Sequence, residues 1–238
     1  MEESLDTLEA LRGQIAAIER DLEAGSYRPG PWSRLTKQVR AMPVDSRCLV
    51  AEDLSRISRK LHLRGERRTL SVRAGYIAEA IFALLGAVIL AFGAGNRSNV
   101  LVILAALIWT TAFQPLIKIG TGHLLGIGYE YAYLYGIEPR FKMRFGQYLS
   151  KPRYVRLLLH LSGMIGSPIG ACLPILFIAP TMRVAIYFCW ALFWIVVAIN
   201  VGAFVAALAA IGDRVGSVRL TDSSGGLAAL ELREALEI

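Results

Sequence analysis

Gly75-Tyr-Ile-Ala-Glu-Ala-Ile-Phe-Ala-Leu-Leu-Gly-Ala-Val-Ile-Leu-Ala-Phe-Gly93 carries one charged side chain, Glu79, in nineteen residues. A helix rises about 1.5 Å per residue, so about 20 apolar residues cross a hydrocarbon core about 30 Å thick. Residues 100–117, 157–178 and 184–211 read the same way, and the last is long enough to tilt or to project beyond a bilayer. Short links near Asn96-Arg97 and Thr181-Met-Arg183 join the first stretch to the second and the third to the fourth, which predicts two helical hairpins. Charge falls to 19% and the apolar share rises to 55%, against about a quarter and about half in a soluble chain.

The charge outside these stretches sets the expected orientation. Residues 1–74 hold 14 Lys/Arg and 11 Asp/Glu, residues 118–156 hold seven Lys/Arg, the tail 212–238 holds three, and each short link holds one. Loops rich in Lys and Arg stay on the cytoplasmic side, and only an even number of spans puts all three basic segments together. The expectation is a multi-pass protein of the cell membrane with both termini and the 118–156 loop in the cytoplasm. The net charge of +7 is thereby ascribed to topology, and no nucleic-acid partner is expected. The first 25 residues are acidic and amphipathic, unlike a secretory signal, so the chain is expected to keep its N-terminus. Cys48, Cys172 and Cys189 lie far apart and read as structural thiols.

Three regions follow: a cytoplasmic helical region 1–74, a transmembrane domain 75–211 with its loop 118–156, and a cytoplasmic tail 212–238. In the first, Leu8, Leu11, Ile15, Ile18 and Leu22 form the seam of an amphipathic helix or short coiled coil. Tyr27-Arg-Pro-Gly-Pro-Trp32 breaks it, and Val50, Leu54, Ile57 and Leu61 mark a second helix from about Asp45, which is placed to cap it. The pair packs on itself or on the membrane surface, or residues 5–22 serve a protein partner or self-association. In the tail, Thr221-Asp-Ser-Ser-Gly-Gly226 reads as a flexible stretch before a short Leu/Glu/Ala helix.

The loop is the most distinctive segment. Tyr129-Glu-Tyr-Ala-Tyr-Leu-Tyr135 and Phe141-Lys-Met-Arg-Phe145 each alternate with a period of two, and Gly136-Ile-Glu-Pro139 supplies a turn between them. A small interfacial β-hairpin is predicted, with Tyr129, Tyr131, Tyr133 and Tyr135 at the lipid boundary and Lys142 and Arg144 meeting lipid phosphates.

Ionisable groups near lipid are candidates for chemistry because they are costly to place there. Glu79, His123 and His160 fall at similar depth on the cytoplasmic side, and Glu130 and Glu138 of the loop reach that level. Imidazole and carboxylate are the bases and ligands that proton-transfer and metal sites use. Glu79, His123, His160 and Glu130 are therefore the catalytic candidates, and the first three are also the metal candidates. The alternative is that Glu79 snorkels or pairs with a Lys or Arg while each histidine bonds a backbone carbonyl. Asn200, alone in the fourth span, reads as a glue between helices. No cofactor is expected, since Gly120-Thr-Gly-His-Leu-Leu-Gly126 ends a helix and lacks dinucleotide-loop spacing.

Gly122-His-Leu-Leu-Gly126, the strands 129–145 and Leu161-Ser-Gly-Met-Ile-Gly-Ser-Pro168 stand in an order that resembles the core of the site-2 protease family of intramembrane zinc metalloproteases. In that family a membrane helix ends in a histidine motif, strands follow along the cytoplasmic face, and a segment rich in small residues re-enters the membrane. The resemblance covers about fifty residues, 118–168, and departs from the family at the chemistry. His123 is followed by Leu124 and then, one turn on, by Ile127, where the family needs glutamate and a second histidine. The later aspartate is also missing, with only Asn200 in the fourth span and Asp213 beyond its end. The resemblance thus implies a scaffold without zinc or proteolysis, in which His123 alone carries over. Two functions stand: a non-catalytic binding or scaffold protein, or a membrane-embedded enzyme acting on a lipid or small apolar substrate through Glu79, His123 and His160.

Overall fold

The computed structural model describes residues 2–28, 30–64, 68–135, 138–209, 214–215, 218–219 and 223–236. It is mainly helical. Four short-to-medium helices come first, α1 (Glu2–Glu23), α2 (Pro31–Ala41), α3 (Val44–Cys48) and α4 (Ala51–Leu63), followed by a two-residue strand β1 (Thr69–Leu70). The long helices are α5 (Val72–Gly95), α6 (Asn99–Leu124), α8 (Arg153–Cys172) and α9 (Arg183–Leu208); β2 (Tyr129–Tyr135), β3 (Glu138–Met143) and α7 (Phe145–Leu149) lie between α6 and α8. Two-residue strands β4 (Arg214–Val215) and β5 (Val218–Arg219) precede α10 (Ser224–Leu236).

Four helices are long and apolar enough to cross a membrane, α8 counting with the 3-10 turn Leu173–Phe177 that extends it. Ser71 and Ser98 start the first two, each accepting a hydrogen bond from the backbone N–H three residues on, at Ala74 and Leu101. The four differ in how much of themselves they bury. Half of the apolar window of α8 is covered, against 6% for α9, so α8 is central and α9 peripheral. Glycine sets the α8–α6 contact. A Cβ on Gly170 would stand 2.2 Å from the Trp109 carbonyl oxygen, and one on Gly166 2.6 Å from the Gln114 Cα, so the helices meet backbone to backbone, the usual basis of helix association where no water drives it. Trp109 closes the third side by donating its indole N–H to the Ala83 carbonyl of α5 at 2.9 Å.

The N-terminal helices wrap one end of this bundle. Leu11, Ile15 and Ile18 of α1, Leu35 and Val39 of α2, and Leu54 and Ile57 of α4 share a core with Ile127, Leu149 and Leu159. Each large apolar side chain so buried contributes roughly 1.5–3 kcal/mol. The α1 seam is thus covered within the chain, and Glu19 on its flank bonds Arg56 at 3.0 Å and Lys60 at 2.6 Å of α4. Those partners hold the Glu19 carboxyl below its ordinary range.

Several local expectations are corrected. Helix α2 begins at Pro31, inside the segment read as a break; Pro suits a first helical position because the N–H it lacks would have no partner there. The helix expected from Asp45 is two, interrupted at Leu49-Val50, and Asp45 lies in the first turn of α3 while Pro43 takes the cap position. The hairpin β2–β3 is antiparallel as predicted, but β1 adds a third strand, pairing Thr69 with Tyr133 and Leu70 with Ala132. Gly136-Ile137 of the expected turn lie outside the described residues. The 212–238 region is more than a tail. Its helix α10 packs on both α8 and α9, with Ala229 buried against Ala207, and with Gly225 so close to α9 that a Cβ would stand 2.6 Å from the Asn200 carbonyl oxygen.

Candidate functional site

A cluster of buried polar side chains joins α8 to α2, α7 and α10. Arg156 and His160 sit four residues apart in α8 and so share one face. Helix α7 supplies Tyr148, α10 supplies Glu231 and Glu234, and α2 supplies Arg40. Arg156, His160, Tyr148 and Glu231 are 0%, 1%, 3% and 1% exposed. Glu231 accepts from Arg156 Nε at 2.7 Å and from Arg40 Nη1 at 3.1 Å, and the Tyr148 hydroxyl donates to it in a short bond. Arg40 Nη1 also reaches Glu234 at 2.7 Å. Burial works against the charge of Arg40, but Glu231 and Glu234 outweigh it and hold the guanidinium above its ordinary value.

Proton positions follow from donor counting. Burial first, and then the neighbouring Glu231 charge, keep the Tyr148 phenol protonated far above its ordinary range. Its single proton goes to Glu231, so toward His160 Nε2, 2.9 Å away, the Tyr148 oxygen accepts. His160 therefore carries its proton on Nε2, and Nδ1 is buried without a hydrogen-bond partner. Arg47 and Arg153 finish the cluster by satisfying helix ends: Arg47 donates to the Met42 and Arg40 carbonyls, both at 2.8 Å, and Arg153 to the Glu234 carbonyl at 2.7 Å.

The sequence-derived candidates are not gathered into one site. His160 belongs to the buried cluster. His123, in the last turn of α6, is exposed; its Nε2 forms a short hydrogen bond with the Tyr76 hydroxyl, and its ring stands edge-on to Tyr129 at 5.5 Å. Glu79 is buried in α5 and is not without a partner. Glu130 lies in β2, with Oε2 buried and unpartnered; burial raises its carboxyl above the ordinary range although Lys142, Arg59 and Arg144 act the other way. The Glu138 side chain and Asp213 lie outside the described residues. Among the described residues, no three His, Cys, Asp or Glu side chains form a group that could hold a metal ion. Asn200 donates to the Val196 carbonyl of its own helix at 3.0 Å, and among the described residues its amide makes no bond between helices.

The aromatic face of the hairpin also departs from the expected lipid-facing set. Tyr129 and Tyr131 are buried, Tyr133 is half-buried, and the Tyr135 side chain lies outside the described residues. The sheet is sandwiched. Tyr131 bonds His62 of α4 at 2.8 Å and Tyr133 stands edge-on to the same ring, whereas Ala132 and Phe141 face Gly75 of α5. An irregularity in register between Tyr129 and Tyr131 turns Tyr129 to α6, where it donates to the Lys118 carbonyl at 3.2 Å. Lys142 donates to Ser58 at 2.8 Å, and among the described side chains of the expected set only Arg144 is exposed. The N-terminal region thus occupies the side that lipid was expected to take.

Sequence reasoning missed Arg40, Tyr148, Arg156 and Glu231. Arg156 counts among the loop charges of the topology argument, and Glu231 shares the face of Ala228 in the short Leu/Glu/Ala helix of the expected cytoplasmic tail. The one available signal is Glu231 itself, a carboxylate on the small-residue side of that helix. Compared with protein-family models, curated proteins and solved structures, the chain matches none.

Proposed function

We propose that this is a multi-pass protein of the cell membrane whose four spans form two hairpins and whose cytoplasmic face is a rigid, non-catalytic binding or scaffold unit. The carrying observation is the buried cluster. Arg40 from the N-terminal region, Tyr148 from the central loop, Arg156 and His160 from the third span, and Glu231 from the C-terminal helix bind one another. Segments joined in this way belong on the same side of a bilayer, which agrees with their Lys and Arg content. His160, one of the ionisable candidates nearest the membrane, is committed to holding that unit together. His123 and His160 belong to different clusters, which favours binding over an enzyme that uses Glu79, His123 and His160 together. The intramembrane-protease-like order of helix, strands and helix is on this reading a retained scaffold.

Cys48, which is exposed, tests the topology. In a Cys172→Ala, Cys189→Ala background, an impermeant maleimide added to intact cells is expected to miss Cys48 and to label Asn96→Cys and Thr181→Cys. Labelling of Cys48 from outside overturns the arrangement. Elemental analysis tests the metal-dependent alternative: near-stoichiometric zinc or iron that His123→Ala removes from a still-folded protein would replace the scaffold reading with the enzyme.

A further inference from the structure

A cleft of about 330 Å³ opens between α4, the start of β2 and α7. Its charges lie near one another without bonding, and Lys142, which bonds Ser58, is a third cation acting on Glu130 beside Arg59 and Arg144. Arg56 on its wall is committed to Glu19 and Asp53, whereas Arg59 and Arg144 form no ion pair among the described residues and are both exposed. Glu130 lines the same cleft with one carboxylate oxygen buried and unbonded. Two further donors are left over. Ser55 Oγ accepts the Gly146 N–H at 2.9 Å, which leaves its hydroxyl proton to give; Gln147 Oε1 accepts the Gly128 N–H at 2.9 Å, which assigns the amide nitrogen to the free side.

A buried polar atom without a partner is costly, and guanidinium pairs are the usual receptors for phosphate oxygens. A plain anion would satisfy the arginines and be repelled by Glu130; a plain cation would do the reverse. A ligand carrying both charges a few bonds apart satisfies all of them. Glu52, the other carboxylate on the cleft, is exposed and remains solvated. We propose that this cleft binds a phosphate-bearing amine of the phosphoethanolamine type, its phosphoryl oxygens on Arg59, Arg144 and Ser55 and its ammonium on Glu130. The source is either the free zwitterion or the headgroup of phosphatidylethanolamine. The proposal rests on the reading of this face as a binding unit and names its ligand.

The test uses the full chain in nanodiscs of phosphatidylcholine, with titration calorimetry against phosphoethanolamine, inorganic phosphate and ethanolamine, and with a second set of nanodiscs containing phosphatidylethanolamine. Wild type is expected to prefer phosphoethanolamine over phosphate by at least tenfold. Glu130→Gln, which keeps the shape and loses the charge, is expected to abolish that preference while retaining phosphate binding, and Arg59→Gln with Arg144→Gln to lose both ligands. Saturation by the free compound identifies a soluble ligand. Thermal stabilisation of wild type, but not of the variants, by phosphatidylethanolamine nanodiscs alone identifies the lipid. Equal affinity for phosphate and phosphoethanolamine, an unchanged preference in Glu130→Gln, or no binding in either format overturns the proposal. Turnover of the bound compound, followed by phosphorus NMR, would keep the site and overturn the non-catalytic reading instead.

Discussion

Replacing Glu231 by alanine strands Arg156, whose side chain has no exposure, beside a carbonyl and a phenol. Removing one member of a buried pair costs about 3–5 kcal/mol, because the remaining charge cannot be rehydrated without opening the structure. Glu234 softens the loss: its carboxylate lies 3.6 Å from Arg156 Nη2 and already holds Arg40 at 2.7 Å. The expected cost is therefore near the lower limit, about 3 kcal/mol, or roughly a 150-fold increase in the population with α10 undocked. Arg233 in α10 reports this population through tryptic cleavage, whose rate follows the open fraction when reclosing is fast. Glu231→Ala is expected to accelerate cleavage at Arg233 by about that factor, whereas Arg156→Met with Glu231→Leu, which replaces both partners by apolar groups, should return it to within about tenfold of wild type. An increase below about fivefold in the single variant would mean that α10 is held by its alanine and glycine contacts, and the cluster would lose its structural role.

Three further outcomes follow from the same geometry. Tyr148→Phe removes the donor to Glu231 and the acceptor of His160, and is expected to destabilise α10 docking by about 1–3 kcal/mol in the same cleavage assay. Gly170→Ala puts a methyl group against the Trp109 carbonyl, so thermal unfolding in detergent should show a loss of about 1–3 kcal/mol, with Gly202→Ala, where a Cβ meets nothing within 4 Å, as the silent control. Burial raises the Glu130 carboxyl, so in the window between its ordinary and raised values the folded state binds more protons than the unfolded chain. Stability from this group is fully present below the ordinary value and is lost as pH rises through the raised one; thermal scans from about pH 4 to 8 should show a step that Glu130→Gln removes.

How much the sequence disclosed depended on the range of the interaction. Apolar runs and alternation are local signals, and residues 75–93 or 129–135 reveal a long apolar helix or a strand from their own composition. Span ends were less legible. Helix α6 continues through His123 to Leu124, and α8 starts at Arg153 instead of Leu157, because polar residues within a helix end do not interrupt its hydrogen bonds. The cluster was illegible for a different reason. Arg40, Tyr148, Arg156 and Glu231 are separated by as many as 191 residues, and nothing local distinguishes a loop arginine that will be buried from one that stays in water. The same holds for the tyrosines of β2, whose spacing predicts a shared face but not whether lipid or α4 covers it.

The order of synthesis gives the Glu231 contact another meaning. Arg40 and Arg156 emerge from the ribosome long before the carboxylates that neutralise them, so until α10 is made, two guanidiniums lack their ion-pair partners. Docking of α10 is the step that neutralises them. A product truncated before Glu231 would leave the Arg40 and Arg156 charges without their carboxylate partners and would uncover the α9 surface at Asn200 and Ala207 on which Gly225 and Ala229 pack.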